Sequence, residues 1–273
     1  MKLSFTKMQG AGNDYIYVDN RQNIVADPAS VSRKISDRHF GVGSDGLVLI
    51  CKSDIADVRM RMFNPDGSES EMCGNASRCV ARFAWERFFN KSKDEFDLET
   101  GAGIKHIVIH RDGENFKSAT VDMGDPILTP AEIPVAAASN KIQIDGRDFT
   151  CVSMGNPHAV TFVDSVQTAP VHTKGPDYEI DKIFPRKANI EFVEVLSKNH
   201  AKMRVWERGT GETLACGTGS CASLVACVLN EKTDREIDLD LLGGTLHIEW
   251  RKDNSHVMMT GPAEFVFEGT IEI

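Results

Sequence analysis

Long apolar runs are missing from this 273-residue chain. No stretch approaches the roughly 18 residues that a membrane-spanning helix needs, so no membrane partner is expected. An apolar core is also missing from the opening segment, Met1-Lys2-Leu3-Ser4-Phe5-Thr6-Lys7, which predicts no secretory signal. Clusters of Lys and Arg are absent, and the formal net charge is −9. Nucleic acids and anionic membrane surfaces are held by concentrated positive charge, so neither is an expected partner. The seven cysteines lack any CxxC spacing. Their odd number and this absence speak against a disulfide framework and a zinc site, and for a reducing, cytoplasmic setting. What remains is the composition of an ordinary soluble protein, 41% hydrophobic and 26% charged. It is long enough for two domains or one large one.

The chain repeats itself. An offset of 143 carries Gly12-Asn13 onto Gly155-Asn156 and Cys73-Gly74 onto Cys216-Gly217. It also carries Met60-Arg61 onto Met203-Arg204, Phe63 onto Trp206 and Glu69 onto Glu212. Further on it pairs Phe96-Asp97-Leu98 with Leu239-Asp240-Leu241, and Gly101 with Gly244. Coincidence among common residues does not explain a recurring Cys-Gly pair with matching surroundings. Two like domains from a duplicated ancestor are expected, residues 1–120 and residues 121–263.

Local patterns agree. Tyr15-Ile16-Tyr17-Val18 and Ala159-Val160-Thr161-Phe162-Val163 read as buried strands after a Gly-Asn turn. Residues 58–63 and 202–206 alternate charged and apolar side chains, and Asn64-Pro65-Asp66-Gly67 and Arg208-Gly209-Thr210-Gly211 break the chain into loops. A helical stretch follows each Cys-Gly. The first carries an apolar stripe through Cys79, Val80, Phe83, Ala84 and Phe88; the second, 221–229, is apolar nearly all round and therefore buried. The fold class expected is α/β: two pseudo-symmetric domains, each a curled, mostly antiparallel sheet around a central helix, with a cysteine at the helix start.

A cysteine at a helix N-terminus meets unpaired backbone N–H groups and the positive end of the helix dipole, which favour its thiolate. The same N–H groups suit a carboxylate. Cys73 and Cys216, one on each side of a substrate carboxylate, would flank its α-carbon. One sulfur would remove the α-proton as thiolate while the other, as thiol, protonates the opposite face; this is two-base inversion. Cys51, Cys79, Cys151, Cys221 and Cys227 are expected in the core, a common place for a free cysteine. Taken alone, Asn13 and Asn156 read as turn residues, His158 as a satisfied loop histidine, and Arg208 as a surface ion-pair member.

At these residues the chain resembles the diaminopimelate epimerases over essentially its whole length. The resemblance rests on Phe5 to Asp14 (FTKMQGAGND), Gly41-Val42-Gly43-Ser44-Asp45-Gly46, and Asn64-Pro65-Asp66-Gly67-Ser68 leading to Cys73-Gly74-Asn75-Ala76-Ser77-Arg78-Cys79. Gly155-Asn156-Pro157-His158, Ala188-Asn189, Glu207-Arg208-Gly209-Thr210-Gly211-Glu212-Thr213 and Ala215-Cys216-Gly217-Thr218-Gly219 complete it. It implies that Cys73 and Cys216 are the catalytic pair and that Gly74-Asn75 and Gly217-Thr218 bind the reacting carboxylate. It further implies that Asn13, Asn64, Asn156, Asn189, Glu207 and Arg208 hold the ammonium groups and the distal carboxylate, and that His158 and Glu207 tune the thiols. A last strand near 264–273 that returns to the first domain is implied, and a homodimer, acting on a small amino acid with no pyridoxal phosphate, metal or nucleotide. The expected activity is interconversion of LL- and meso-diaminopimelate, in lysine and peptidoglycan synthesis.

Some positions depart from the pattern. Gln9 stands where many members have His, Ala76-Ser77 where many have Gly-Ala, Gly46 where some have Gln, and Phe267 where relatives place a Tyr at the dimer contact. A racemase for histidine or an epimerase for lanthionine shares the scaffold. An isomerase of the phenazine-synthesis type does its acid–base work without the cysteine pair, and a non-catalytic amino-acid-binding protein has little reason to keep two thiols at paired helix starts. Fold alone does not separate these readings; the site residues do.

Overall fold

A computed structural model describes residues 2–273. The chain divides into two compact units: residues up to Val121 with Gly261–Ile273, and Asp122–Thr260. The first holds β1 (Lys2–Gly10), β2 (Asn13–Asp19), α1 (Pro28–Ser36), β3 (Leu47–Cys51), β4 (Val58–Phe63) and the short β5 (Glu69–Ser70). It continues through α2 (Gly74–Arg87), β6 (Glu95–Thr100), β7 (Gly103–Asp112) and β8 (Asn115–Asp122). The second holds β9 (Lys141–Ile144), β10 (Arg147–Ser153), β11 (Pro157–Phe162), α3 (Val171–Glu179), β12 (Asn189–Ser197) and β13 (His200–Glu207). It ends with β14 (Gly211–Glu212), α4 (Gly217–Leu229), β15 (Glu236–Leu241), β16 (Gly244–Trp250) and β17 (Val257–Gly261). The last strand, β18 (Glu264–Glu272), returns to the first unit and pairs antiparallel with β1.

The two units share one pairing plan. In the first, β1 pairs antiparallel with β2, β2 parallel with β3, β3 antiparallel with β4, β4 parallel with β6, and β6 antiparallel with β7. In the second, β10, β11, β12, β13, β15 and β16 repeat that order and those directions. Register repeats too: Ile16 faces Leu47 and Leu47 faces Phe63, as Ala159 faces Ile190 and Ile190 faces Trp206. Strand β9 lies beside β10 as β18 lies beside β1, so each unit has a flanking strand, supplied locally in one and by the C-terminus in the other.

One detail of the repeat is corrected. The offset of 143 holds through the helices but drops to 141 beyond them. Val58 faces Leu98 while Ala201 faces Leu239, and Thr100–Gly103 closes one hairpin where Leu241–Gly244 closes the other. The counterpart of Leu98 is therefore Leu239, and that of Gly103 is Gly244. Helix α4 is one residue shorter than α2 and its connection to the next strand is one residue shorter, and the common Asp-Leu and Gly letters masked the shift. The corrected alignment superposes His106, beside Asp97 at 3.0 Å, on His247, beside Asp238 at 2.8 Å.

Each unit wraps strands around one helix. Helix α2 touches β1, β2, β4 and β7, and α4 touches β10, β11, β12, β13, β15 and β16. Both are buried almost all round, including Cys79, Val80, Ala84 and Trp85 in one and Cys221, Leu224, Val225 and Cys227 in the other. Helices α1 and α3 cover the opposite faces, against β3 and β4 and against β12 and β13. Strand β3 is thus covered on both sides, and all five of its residues are buried, the pattern of a doubly covered strand. Helix α1 starts on Asp27, whose carboxylate accepts the Ser30 N–H at 3.1 Å, with Pro28 at its first turn. The five cysteines outside the helix starts are buried, and none is in a disulfide. Burial lifts Cys79 to about 11 and Cys151 and Cys227 to about 12, so they stay inert thiols.

Candidate active site

Cys73 and Cys216 are the N-caps of α2 and α4, both with extended backbone (φ −139°, ψ 121° and φ −109°, ψ 109°). Their carbonyls accept equivalent bonds. Ser77 N–H and Oγ reach Cys73 O at 2.9 and 3.0 Å, and Ser220 N–H and Oγ reach Cys216 O at 2.9 and 2.8 Å. An extended cap puts each side chain over the open end of its helix, where first-turn N–H groups have no intrahelical partner. No acidic residue occupies either first turn. Each end can therefore take an anion.

The surroundings of the two sulfurs differ. In the first unit the Cys73 thiol donates to Asn13 Oδ1 at 3.4 Å, and Asn13 Nδ2 donates to Asp45 Oδ2 at 2.8 Å. Asp45 also receives the Asp14 N–H at 3.1 Å and pairs with Arg38 at 3.0 Å. Burial, followed by the charge of Asp14, pushes Asp45 above the usual carboxylate range. Asn64 leads the loop before α2 and donates through Nδ2 to Ser68 Oγ at 2.9 Å and Ser70 Oγ at 3.1 Å. Asn75 is buried in the first turn of α2, its Oδ1 held by Arg78 at 2.9 Å. Gln9, on β1, accepts the Gly12 N–H at 2.7 Å and so shapes the turn that carries Asn13.

Carboxylates crowd the second unit's sulfur. Cys216 Sγ accepts the Gly219 N–H at 3.4 Å and lies 3.6 Å from Thr218 Oγ1. Burial, then the charges of Glu207 and Glu191, drive this thiol well above its ordinary range. Burial also raises Glu207, opposed by the hydroxyl of Thr213 and the proximity of His158. Thr213 donates to Glu207 as the Asn64 amide reaches Ser70 in the first unit, at equivalent positions. His158 is fully buried, with Nδ1 2.6 Å from Glu191 Oε1 and Nε2 3.1 Å from Asn156 Oδ1. Asn189 bonds the backbone on both sides: its Nδ2 donates to Pro157 O at 2.9 Å and its Oδ1 accepts the Arg208 N–H at 2.9 Å. Arg208 itself is exposed, with Nη1 donating to Arg186 O at 3.0 Å.

The second unit thus brings together Asn156, His158, Glu207, Cys216 and Thr218, with Asn189 at the start of β12 and Arg208 on the adjoining loop. The first gathers Asn13, Cys73 and Asn75, with Asn64 on the loop before the helix. Four contributors escaped the sequence reading. Asp45 and Thr213 lay inside recognised motifs without a role. Glu179 closes α3 and accepts from Trp206 Nε1 at 2.8 Å and the Gly209 N–H at 3.0 Å, which anchors the loop bearing Arg208. Glu191, the fourth, is fully buried. Gly46 receives a physical explanation: its φ is +151°, and a Cβ there would stand 2.3 Å from Phe63 O. No side chain fits at that position, whereas its counterpart is Asn189.

Among the described residues, His158, Glu191 and Cys216 bring a nitrogen, an oxygen and a sulfur within 4.8 Å of one another. Nδ1 and Oε1 at 2.6 Å are bonded to each other. Two ligands about 2.1 Å from a tetrahedral ion stand about 3.4 Å apart. This is the spacing of a hydrogen-bonded cluster, and a metal would have to open it.

Solved structures define the class first. A phenazine biosynthesis protein of the PhzF family from Bacillus anthracis superposes with a TM-score of 0.74 at 19% identity, covering all of both chains. A hydroxyproline epimerase from Agrobacterium vitis, solved with bound trans-4-hydroxy-L-proline, gives 0.70 at 14% identity, covering 99% of this chain and 91% of that one. The fold is therefore the duplicated α/β architecture shared by these proteins. Sequence then narrows it: the chain belongs to the diaminopimelate epimerase family, whose model matches residues 5–129 and 150–266. A diaminopimelate epimerase from Agathobacter rectalis is 51% identical over 99% of this chain and 100% of its own length. One from Acetivibrio thermocellus is 52% identical over 99% of both.

Proposed function

We propose that this isomerase interconverts LL- and meso-2,6-diaminopimelate, with Cys73 and Cys216 transferring the α-proton. The observation that carries the reading is a cysteine capping a buried helix in each unit of a chain about half identical to proteins named for that reaction. One thiolate takes the α-proton and becomes a thiol. The electron pair left on carbon delocalises into the carboxylate, and the other thiol protonates the opposite face and becomes a thiolate. One proton leaves carbon and one arrives, so the reverse reaction starts with the roles exchanged. First-turn N–H groups at Gly74-Asn75 and Gly217-Thr218 meet the carboxylate as charge builds on it, and bonds that strengthen at that moment accelerate the step. Burial, then the charges of Glu207 and Glu191, favours the thiol form of Cys216, the form that delivers a proton. Asn13, Asn64, Asn156, Asn189 and Glu207 orient the substrate's polar groups, and Arg208 grips the distal carboxylate. Its fork suits a carboxylate better than a lysine ammonium would. His158 and Glu207 tune Cys216.

The reading extends to a cytoplasmic homodimer serving lysine and peptidoglycan synthesis. Val266 and Phe267 on β18 are 53% and 45% exposed and supply apolar surface for a second copy; a monomer by light scattering at micromolar concentration contradicts that part. The reaction is tested by proton NMR in D2O on both diaminopimelate isomers, lysine, histidine and lanthionine. Loss of the α-proton signal is expected for diaminopimelate. Lysine, which lacks only the distal carboxylate, should exchange about ten- to a hundredfold more slowly, the worth of one charge-assisted contact. Equal turnover of lysine removes the role given to Arg208, and exchange of histidine or lanthionine in place of diaminopimelate overturns the substrate.

A further inference from the structure

Glu191 sits at the middle of β12, faces Val160 and Val205 on the neighbouring strands, and is fully buried. One carboxylate oxygen meets His158 Nδ1 at 2.6 Å, and the other has no partner. The fold does not require an acid there. The equivalent residue of the first unit is Val48, also fully buried, between Tyr17 and Met62. His158 is likewise private to the second unit, its counterpart being Tyr15. The helix has been altered to match: a Cβ on Gly219 would stand 2.7 Å from Glu191 Oε1 and 3.2 Å from Cys216 Sγ. The first unit, with no carboxylate to accommodate, carries Ala76 at that place, fully buried. Three coordinated differences thus install one buried acid beside one of two cysteines at equivalent positions.

We propose that Glu191 is a positioning residue for proton transfer at Cys216, holding the His158 ring and through it the Asn156 amide, with Gly219 as the space it requires. The inference rests on the two-thiol reading above. Glu191 accepts the Nδ1 proton of His158 and prevents the ring from turning. The other ring nitrogen then meets Asn156, so one carboxylate orders a chain of three side chains on β12, on β11 and in the loop before β11. The groups facing Cys216 are Glu191 from β12, His158 from β11, Glu207 from β13, and Thr218 and the Gly219 N–H from its own helix. The negative charge of Glu191 is one of the influences that raise this thiol. In the first unit Val48 stands where Glu191 does, and the Cys73 thiol donates to the Asn13 amide oxygen at 3.4 Å. The two thiols are therefore distinct in their chemistry although they occupy equivalent places.

The test uses Glu191→Gln, which keeps the shape, and the pair Glu191→Val with Gly219→Ala, which copies the packing of the first unit. Each is assayed for epimerisation, for thermal unfolding, and for the pH dependence of iodoacetamide alkylation at Cys73 and Cys216, resolved by peptide mass spectrometry. Glu191→Gln should lower kcat at least tenfold with KM within threefold. It should move the alkylation midpoint of Cys216 to lower pH and leave that of Cys73 in place. Gly219→Ala alone should unfold at lower temperature, and the paired variant should recover wild-type Tm or exceed it while kcat stays low. Wild-type kcat in the paired variant, or equal shifts at the two cysteines, overturns the proposal. Alkylation needs no substrate: a wild-type protein inactive on diaminopimelate but with the Cys216-specific shift refutes the substrate and leaves the role of Glu191 standing.

Discussion

Each thiol has an acid nearby whose carboxyl is held above its ordinary range, Asp45 near Cys73 and Glu207 near Cys216. For Glu207 the stability consequence has a definite sign. An unfolded chain releases this proton near 4.5, whereas the folded protein keeps it to higher pH. Between those points the folded state holds more protons, so stability falls as pH rises through the window, and above it the loss is complete. Glu207→Gln removes that loss. Its Tm relative to wild type should rise from pH 4 to pH 8 while its epimerisation falls; a difference in Tm independent of pH contradicts the raised carboxyl. The same residues show what a sequence can and cannot disclose. Asn13 and Cys73 in one unit, and Asn156, His158, Glu207 and Cys216 in the other, lie in contiguous motifs with Gly and Pro punctuation, and those motifs were readable. Glu191 was not. In Asn189-Ile190-Glu191-Phe192-Val193 it occupies the position of a solvent-facing residue on a half-wet strand. Helix α4 covers that face, and no local pattern announces a helix that begins only at Gly217. Taking such a carboxylate out of water costs several kcal/mol, an expense that makes sense for a site more than for a core.

Elements carry the next level of argument. The helix starts were legible because a Cys-Gly pair recurs before an apolar stretch. The point where the offset changes was not, since strand register is set by pairing partners and not by letters. The flanking strand β18 is the element most exposed to test. Eight residue pairs join it to β1, from Lys2–Glu272 to Gln9–Glu264. The segment around it also serves α2: Arg78 Nε donates to Pro262 O at 3.1 Å and Arg82 Nη1 to Ala263 O at 2.6 Å. Phe5 and Phe267 meet edge to face at 5.9 Å. Deleting residues 262–273 exposes one side of β1 and strips partners from the fully buried Arg78. Each backbone hydrogen bond lost costs about 1 kcal/mol, and an unsatisfied buried group costs about 1–3 kcal/mol more. Hydrogen exchange followed by mass spectrometry should show β1, β2 and α2 losing protection. The second unit, which has its own flanking strand β9, should keep protection in β10, β11 and α4. Uniform loss across both units shows instead that they unfold as one.

At the scale of the whole molecule, duplication explains why one chain has two thiols at equivalent places, and the divergence of their surroundings explains why they need not behave alike. That makes single substitutions informative. Cys73→Ser and Cys216→Ser are nearly isosteric, and a serine hydroxyl is far too weak an acid to furnish the missing base. Each variant should lose epimerisation by about 10²–10⁴-fold, the usual worth of a positioned acid or base, with its fold intact by circular dichroism. A surviving thiolate still removes the α-proton of whichever isomer directs that hydrogen toward it, and solvent deuterium can return on the same face. In D2O each single variant should therefore exchange one isomer slowly and the other hardly at all. The preferences of the two variants should be opposite, and the double variant should exchange neither. Because Cys216 sits among carboxylates and Cys73 beside an amide, the exchange retained by Cys73→Ser, which relies on Cys216, should need higher pH than that retained by Cys216→Ser. Exchange of the same isomer by both single variants, or wild-type inversion in either, refutes the two-thiol mechanism while leaving family membership untouched.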